Sequence, residues 1–292
     1  MTDDFRKIEE DESIRVVVET IGGVEAAYEY TKRALQAGKH VVTANKQLVA
    51  ERGCELLELA RKKNVSYLFE ASVGGGIPVL HPLTQCMAAN RIDEVYGILN
   101  GTTNYILSRM VRTGAFFSDA LREAQAKGYA EADPTADVEG IDAGRKICIL
   151  ADLAFGYQVD PAVVPMEGIS RLSLRDVKIA QRAGYRIKLL GRAVRMPGGG
   201  RTAYVAPHLI PEDNPDRQCG GCVQRRDDPG KCHRRCDVLR QGRRRAAYRF
   251  GLRGGCDGVP AGQPPAGRDR LGADTTGLCG SGTAAHPLLF PH

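Results

Sequence analysis

Apolar residues fall along this chain in two rhythms, and each rhythm marks out a set of elements. VVVET at 16–20 and HVVTA at 40–44 are short β-branched runs, and between them Val24 to Ala37 is apolar at helical spacing and stops before Gly38. A strand, a helix and a second strand in that order predict a βαβ unit with a right-handed crossover. A second helix from Gln47 to Lys63 leads to the strand SYLFEASV at 66–73. Beyond it the pattern predicts helices near 77–90, 102–112, 117–127 and 141–155, and strands near 93–99, 187–195 and 202–208. The expectation is an α/β chain with a parallel first half and a mixed α+β second half.

Composition narrows the class. A chain of 292 residues with 42% hydrophobic content has room for two domains and a sizeable core. No apolar run approaches the ~20 residues that span a bilayer, and the start MTDDFRKIEEDE is too acidic for a secretory signal, so a cytoplasmic protein without a membrane partner is expected. The net charge of +6 comes from one end: residues 216–292 hold thirteen Arg and one Lys against seven Asp, a balance of +7, which leaves −1 for residues 1–215. The whole-chain balance is therefore no sign of a specific nucleic-acid partner. Cys54, Cys86 and Cys148 lie in periodic apolar stretches and read as reduced core thiols, and His40 and His81 read as structural.

The stretch 124–146, AQAKGYAEADPTADVEGIDAGRK, carries the densest chemistry. Asp142 and Lys146 are four apart in the helix predicted for 141–155, so they share a face. Alone, that spacing describes an ordinary surface ion pair. The flanking order is less ordinary: Ala124, Gly128, Tyr129, Glu131, Asp133, Pro134, Asp137, Gly140, Asp142 and Lys146 together resemble the signature of the homoserine dehydrogenase family. HVVTANKQLVA at 40–50, FEASVGGGIPV at 69–79 and GILNGTTNYIL at 97–107 resemble further segments of that family in the same order, and the resemblance runs from about residue 2 to about residue 215.

The resemblance implies reversible hydride transfer between L-aspartate 4-semialdehyde and L-homoserine, with NADP or NAD as cofactor, in threonine, methionine and isoleucine biosynthesis. It implies a Rossmann-type nucleotide-binding half over 1–69 and a substrate and dimerisation domain over 70–215, in a homodimer or homotetramer. Lys146 is then the proton donor and acceptor; Glu131, Asp137 and Asp142 hold the substrate ammonium, and Gly101 and Thr102 line its pocket. Lys46, Gly22 and Gly128 fall on the cofactor side. Glu70, with the carbonyls of Val73, Gly75 and Ile77, corresponds to a monovalent-cation site, usually sodium, since a hard cation prefers oxygen ligands. Members of the family open on a strand and a G-x-G-x-x-G turn that lets backbone approach a pyrophosphate. This sequence contains no such turn. The expectation is a nucleotide-binding half entered after its first turn, weak dinucleotide binding and an inactive chain; the choice between NAD and NADP stays open.

Residues 216–292 allow three readings. Cys219, Cys222, Cys232 and Cys236, with His233, have zinc-knuckle spacing, and Arg243, Arg244 and Arg245 would add phosphate affinity. On that reading the chain is a non-catalytic fragment or pseudoenzyme whose basic tail binds zinc or nucleic acid. The same stretch has no Ile, Met, Glu or Asn and fourteen Gly, which suits a disordered basic tail. The third reading is a tail translated out of frame: GC-rich codons for Arg217 to Arg249, read one nucleotide later, encode a β-rich peptide resembling the segment that follows PEDNP-like residues in the family. A disordered, out-of-frame tail is the expectation.

Overall fold

Val16–Glu19 (β1), His40–Thr43 (β2) and Tyr67–Leu68 (β3) form a parallel sheet in the order β1-β2-β3, in a computed structural model that describes residues 3–196, 198–212, 233–241 and 247–255. Val17 lies opposite Val41, and Val41 opposite Tyr67. A short helix, Arg6–Glu10 (α1), precedes the sheet, and Arg33 pairs with its Glu9. The helices Glu25–Gln36 (α2) and Lys46–Lys62 (α3) bury Ala27, Ala34 and Leu35, and Leu48, Val49 and Leu56. The α3 helix starts where it does because Asn45 caps it, its side chain accepting from Leu48 N at 3.0 Å. The opposite face of β1 is open, with Val16 and Val18 51% and 65% exposed. These elements belong to the first of two compact units, which takes residues up to Ala89 and 149–161.

Tyr67 is fully buried, and its hydroxyl has no hydrogen-bond partner. Burial, with the charge of Glu19 nearby, pushes the phenol far above its usual range. An unmade buried hydrogen bond costs about 1–3 kcal/mol, so Tyr67→Phe is expected to leave the fold intact and raise its unfolding free energy by about 1 kcal/mol. Urea denaturation checks this, and a destabilised Phe variant would contradict it.

Two elements depart from the expected pattern. The strand expected at 66–73 stops at Leu68, because Ser72 turns back through its N–H and hydroxyl to the Phe69 carbonyl in a 3-10 turn at Glu70–Ser72. The helix expected at 77–90 is confined to 80–86, with a π-helical stretch over Pro82–Cys86 closed by Met87 N to Pro82 O at 3.1 Å. Pro82 has no N–H to continue an α-helical ladder. Cys86, expected in a core, is consequently exposed, whereas Cys54 and Cys148 are buried.

The second unit comprises 90–148 and 162–257. Its antiparallel sheet joins Arg91–Ile98 (β4), Tyr185–Arg195 (β5), Arg201–Pro211 (β6), His233–Gln241 (β7) and Ala247–Gly255 (β8) in the order β6-β5-β4-β8-β7. Gly101–Thr113 (α4), Phe117–Ala126 (α5), the single turn Thr135–Val138 (α6) and the first half of Ile141–Phe155 (α7) supply Ile106, Leu107, Met110, Ala124 and Ile147 to its core. Leu174–Arg182 (α8) was not legible from periodicity; a capping box between Ser173 and Asp176 starts it, and it buries Val177 and Ala180. β8 pairs along β4 from Arg91↔Gly255 to Ile98↔Arg249, and β7 pairs along β8. Cys219, Cys222, Cys232 and Arg243 to Arg245 lie outside the described residues, and Cys236 falls in β7.

Candidate functional site

The turn from β4 into α4 organises the acids and the lysine. Asn100 sits at its centre with an extended backbone and caps α4, its side chain accepting from Thr103 N at 2.8 Å and Thr103 Oγ1 at 3.0 Å. Its Nδ2 donates to Asp137 Oδ1 at 2.7 Å and to Asp142 Oδ2 at 2.9 Å. One residue earlier, the Leu99 carbonyl accepts from Lys146 Nζ at 2.9 Å. Lys146 also donates to Asp142 Oδ2 at 2.6 Å, one helical turn away on α7. The two side chains are only 11% and 7% exposed, so this is a buried ion pair and not the surface pair that its spacing alone describes. Burying two charges is tolerable where further hydrogen bonds satisfy them, as Asn100 and Leu99 do here.

Close packing fixes this geometry. A Cβ on Gly191 of β5 would stand 2.7 Å from Leu99 Cδ1 and 3.1 Å from Ile147 Cβ, so only glycine lets the sheet approach the residues flanking the lysine. A Cβ on Gly168 would stand 2.2 Å from the Val138 carbonyl oxygen and 2.5 Å from Glu139 Cα. That contact holds the turn between Asp137 and α7, and Ile169 N reinforces it by donating to Val138 O at 2.8 Å.

The other substrate-side candidates lie around the same helix start. Gly101 and Thr102 are buried at the head of α4, and Thr102 Oγ1 donates to the Tyr129 carbonyl at 2.7 Å. Gly128, expected on the cofactor side, follows α5 with φ +68, where a side chain would be strained. Glu131 is exposed on the next loop, which Gln125 Nε2 holds through the carbonyls of Glu131 and Ala132 at 3.1 and 3.3 Å. The structure thus joins Asp142 to Lys146 directly and Asp137 to Asp142 through Asn100, and places Glu131 beyond that hydrogen-bonded set.

A charged cluster steadies the same loop. Glu123 accepts from Lys127, from Tyr105 at 2.9 Å and from Arg109 at 2.5 Å, while Tyr105 packs edge-on against Tyr129. Lys127, then Tyr105 and Arg109, hold the Glu123 carboxyl down to about 2 from the usual 4.5. A depressed carboxylate stabilises the fold above its unfolded value and stops doing so as pH falls through its folded value. Glu123→Gln is therefore expected to be less stable than the parent at pH 7, with the gap closing between about pH 4.5 and 2. Denaturation at a series of pH values tests it; a gap independent of pH would count against the cluster.

Two of the three cofactor-side candidates, Gly22 and Lys46, lie in the first unit, at the carboxyl ends of β1 and β2, where parallel α/β sheets hold nucleotides, whereas Gly128 lies in the second unit. Gly22 lies in the exposed bend after β1, and Asn45 Nδ2 ties that bend to α3 by donating to Ile21 O at 2.9 Å and Gly23 O at 2.6 Å. Lys46 is the first residue of α3, next to that anchor. Below them Glu19 is buried and accepts from the Thr43 hydroxyl and Ile21 N. Glu70, by contrast, acts as a cap: its carboxylate accepts from Val79 N, from Leu80 N at 2.8 Å and from His81 N at 2.8 Å. A carboxylate offers about four lone-pair sites, and these N–H groups take three of them.

Comparison with known proteins bears on both units. Residues 78–224 match the family model described as homoserine dehydrogenase, and residues 1–70 match homoserine dehydrogenase, NAD binding domain. The chain belongs to the homoserine dehydrogenase family. It is 53% identical to the homoserine dehydrogenase of Neisseria gonorrhoeae over 199 residues, 68% of this chain and 46% of that protein. With the homoserine dehydrogenase of Bacillus subtilis it shares 45% over 215 residues, 74% of this chain and 49% of that one. A crystal structure of a homoserine dehydrogenase from Thiobacillus denitrificans superposes with a TM-score of 0.71 at 45% identity, covering 86% of this chain and 55% of that one. The chain spans about half the length of the curated homoserine dehydrogenases it matches.

Within this family frame the parallel sheet of the first unit is the NAD-binding part, and members are oxidoreductases. The residues present fit part of a dinucleotide: the bend at Gly22 and the cationic start of α3 at Lys46 are suited to its polar end. A glycine turn for the pyrophosphate is not in the sequence. Sequence reasoning missed Asn100, which in NGTTN reads as a helix cap and nothing more; its two carboxylate partners lie 37 and 42 residues away. Among the described residues no helix is long and apolar enough to cross a membrane, and no three His, Cys, Asp or Glu side chains group as a metal site.

Proposed function

We propose that this chain carries the substrate-binding and proton-transfer residues of NAD(P)-dependent interconversion of L-homoserine and L-aspartate 4-semialdehyde, in amino-acid biosynthesis. The observation that carries it is Lys146, buried and aimed by Asp142 and the Leu99 carbonyl, with Asp137 tied to the same Asn100 amide. Lys146 donates a proton to the developing alkoxide in reduction and takes it back from the hydroxyl in oxidation, while Asp142 holds its ammonium in place. Asp137, Asp142 and Glu131 receive the substrate α-ammonium, and the start of α4 at Gly101 and Thr102 bounds the pocket. NAD(P), when bound near Lys46 and Gly22, supplies the hydride acceptor or donor. A monovalent cation on Glu70 and the carbonyls of Val73, Gly75 and Ile77 belongs to the same reading, as does a homodimer or homotetramer.

Substrate binding is a more direct test of this reading than turnover, because the residues named for it lie together in the second unit. Calorimetry of L-homoserine into the purified chain should give saturable binding that Asp142→Asn weakens, with L-alanine as the control. Absence of binding, or an equal response to L-alanine, would overturn the substrate assignment.

A further inference from the structure

Asn100 does more than cap a helix. An amide side chain has two donor hydrogens and two acceptor lone pairs, and all four are engaged here. Reversing the amide would turn its NH2 toward the Thr103 N–H and its carbonyl toward two carboxylates, so this orientation is the one the network permits. The residue is 4% exposed, and Thr103 beside it is fully buried. Asp137 and Asp142 come from different elements, the α6 turn and α7, and the Asn100 NH2 bridges them. The same residue sets where α4 begins, and its neighbour Leu99 supplies the carbonyl that Lys146 reaches.

We propose that Asn100 is a positioning residue for the proposed reaction: one neutral donor that holds Asp137 and Asp142 side by side and registers Lys146 against the start of α4. The proposal rests on the substrate reading above and deepens it, because it assigns the spacing between the two acids to a residue that touches neither substrate nor cofactor. A neutral double donor suits this place, since it shares out two like charges without adding a third.

The test separates this role from simple capping. Asp and Ser cap helices about as well as Asn, so a residue needed only as a cap would tolerate both Asn100→Asp and Asn100→Ser. In Asn100→Asp an oxygen replaces the bridging NH2 and faces two carboxylate oxygens; in Asn100→Ser the shorter side chain cannot reach them. Two readouts on the full chain are used, L-homoserine affinity by calorimetry and the Lys146 titration followed by NMR on 13C-labelled lysine, with the signal assigned through Lys146→Arg. The expected results are L-homoserine affinity about tenfold or more weaker in Asn100→Ser, as befits one or two lost charge-assisted hydrogen bonds. The Lys146 midpoint should move in both variants, since each removes the neutral donor that shares out the two carboxylates beside it. Parent-like affinity together with an unmoved Lys146 midpoint would reduce Asn100 to a cap and overturn the proposal. If the parent itself ignores L-homoserine, the substrate reading fails while the Lys146 midpoint still decides the role of Asn100. If Asn100→Asp does not fold, the midpoint in Asn100→Ser decides it.

Discussion

Replacing Lys146 by alanine is expected to destabilise the fold by about 3–5 kcal/mol, because it strands the Asp142 carboxylate in the interior without its ammonium partner. Asn100 would remain as a donor to Asp142, but a neutral amide does not replace a charge. Urea denaturation measures the loss, and a double-mutant cycle assigns it: Lys146→Ala with Asp142→Asn should recover part of the stability, since the double variant buries no lone charge. Any hydride transfer should fall by about 10²–10⁴-fold in the single variant and not recover in the double, as for loss of a general acid–base group. Turnover at the parental rate in Lys146→Ala would remove the lysine from proton transfer. Parental stability would show that Asp142 is less dependent on the pair than its burial indicates.

Gly168→Ala has the second-largest expected effect. The added methyl would lie 2.2 Å from the Val138 carbonyl oxygen and 2.5 Å from Glu139 Cα, and neither is a side chain that can rotate away. Relief requires the segment after α6 to move as a whole, at a cost of about 3 kcal/mol, the upper part of the range for overpacked interiors. The moved segment begins at Asp137 and leads into α7 at Ile141, so L-homoserine affinity should fall along with stability. Gly200→Ala is the matched control: its nearest neighbour would be Met196 Cβ at 3.6 Å, so stability should stay within about 0.5 kcal/mol of the parent. Equal behaviour of the two alanine variants would contradict the packing argument.

Where the sequence read well, a single physical signal dominated. The expected helices at 24–37, 102–112, 117–127 and 141–155 agree closely with α2, α4, α5 and α7, because each has an apolar stripe ended by glycine or by a polar run. It read poorly where side chains compete with the backbone. Ser72 and Glu70 bind main-chain groups and shorten a strand whose composition is ideal for one, and Pro82 turns a helix into a π-helical fragment. The start of α8 was signalled by Ser173 three residues before Asp176, but Ile179 faces outward at 53% exposure and blurs the periodicity. The Asp142 and Lys146 pair was legible from spacing, being local. Its burial and its link to Asp137 were not, since both depend on Leu99 and Asn100.

That last dependence bears on when the chain acquires its chemistry as it folds. The i,i+4 contact between Asp142 and Lys146 can form within α7 alone, on the timescale of helix formation. The carbonyl that aims the lysine comes from 47 residues upstream, and it arrives only when the β4–α4 turn docks against α7. Closing so long a loop is entropically costly and belongs to the late, non-local part of folding. A partially collapsed chain can therefore hold all its helices and still present an untrained lysine. The ability to bind L-homoserine would then report tertiary docking in the second unit, and should appear in refolding only after the helical signal is complete.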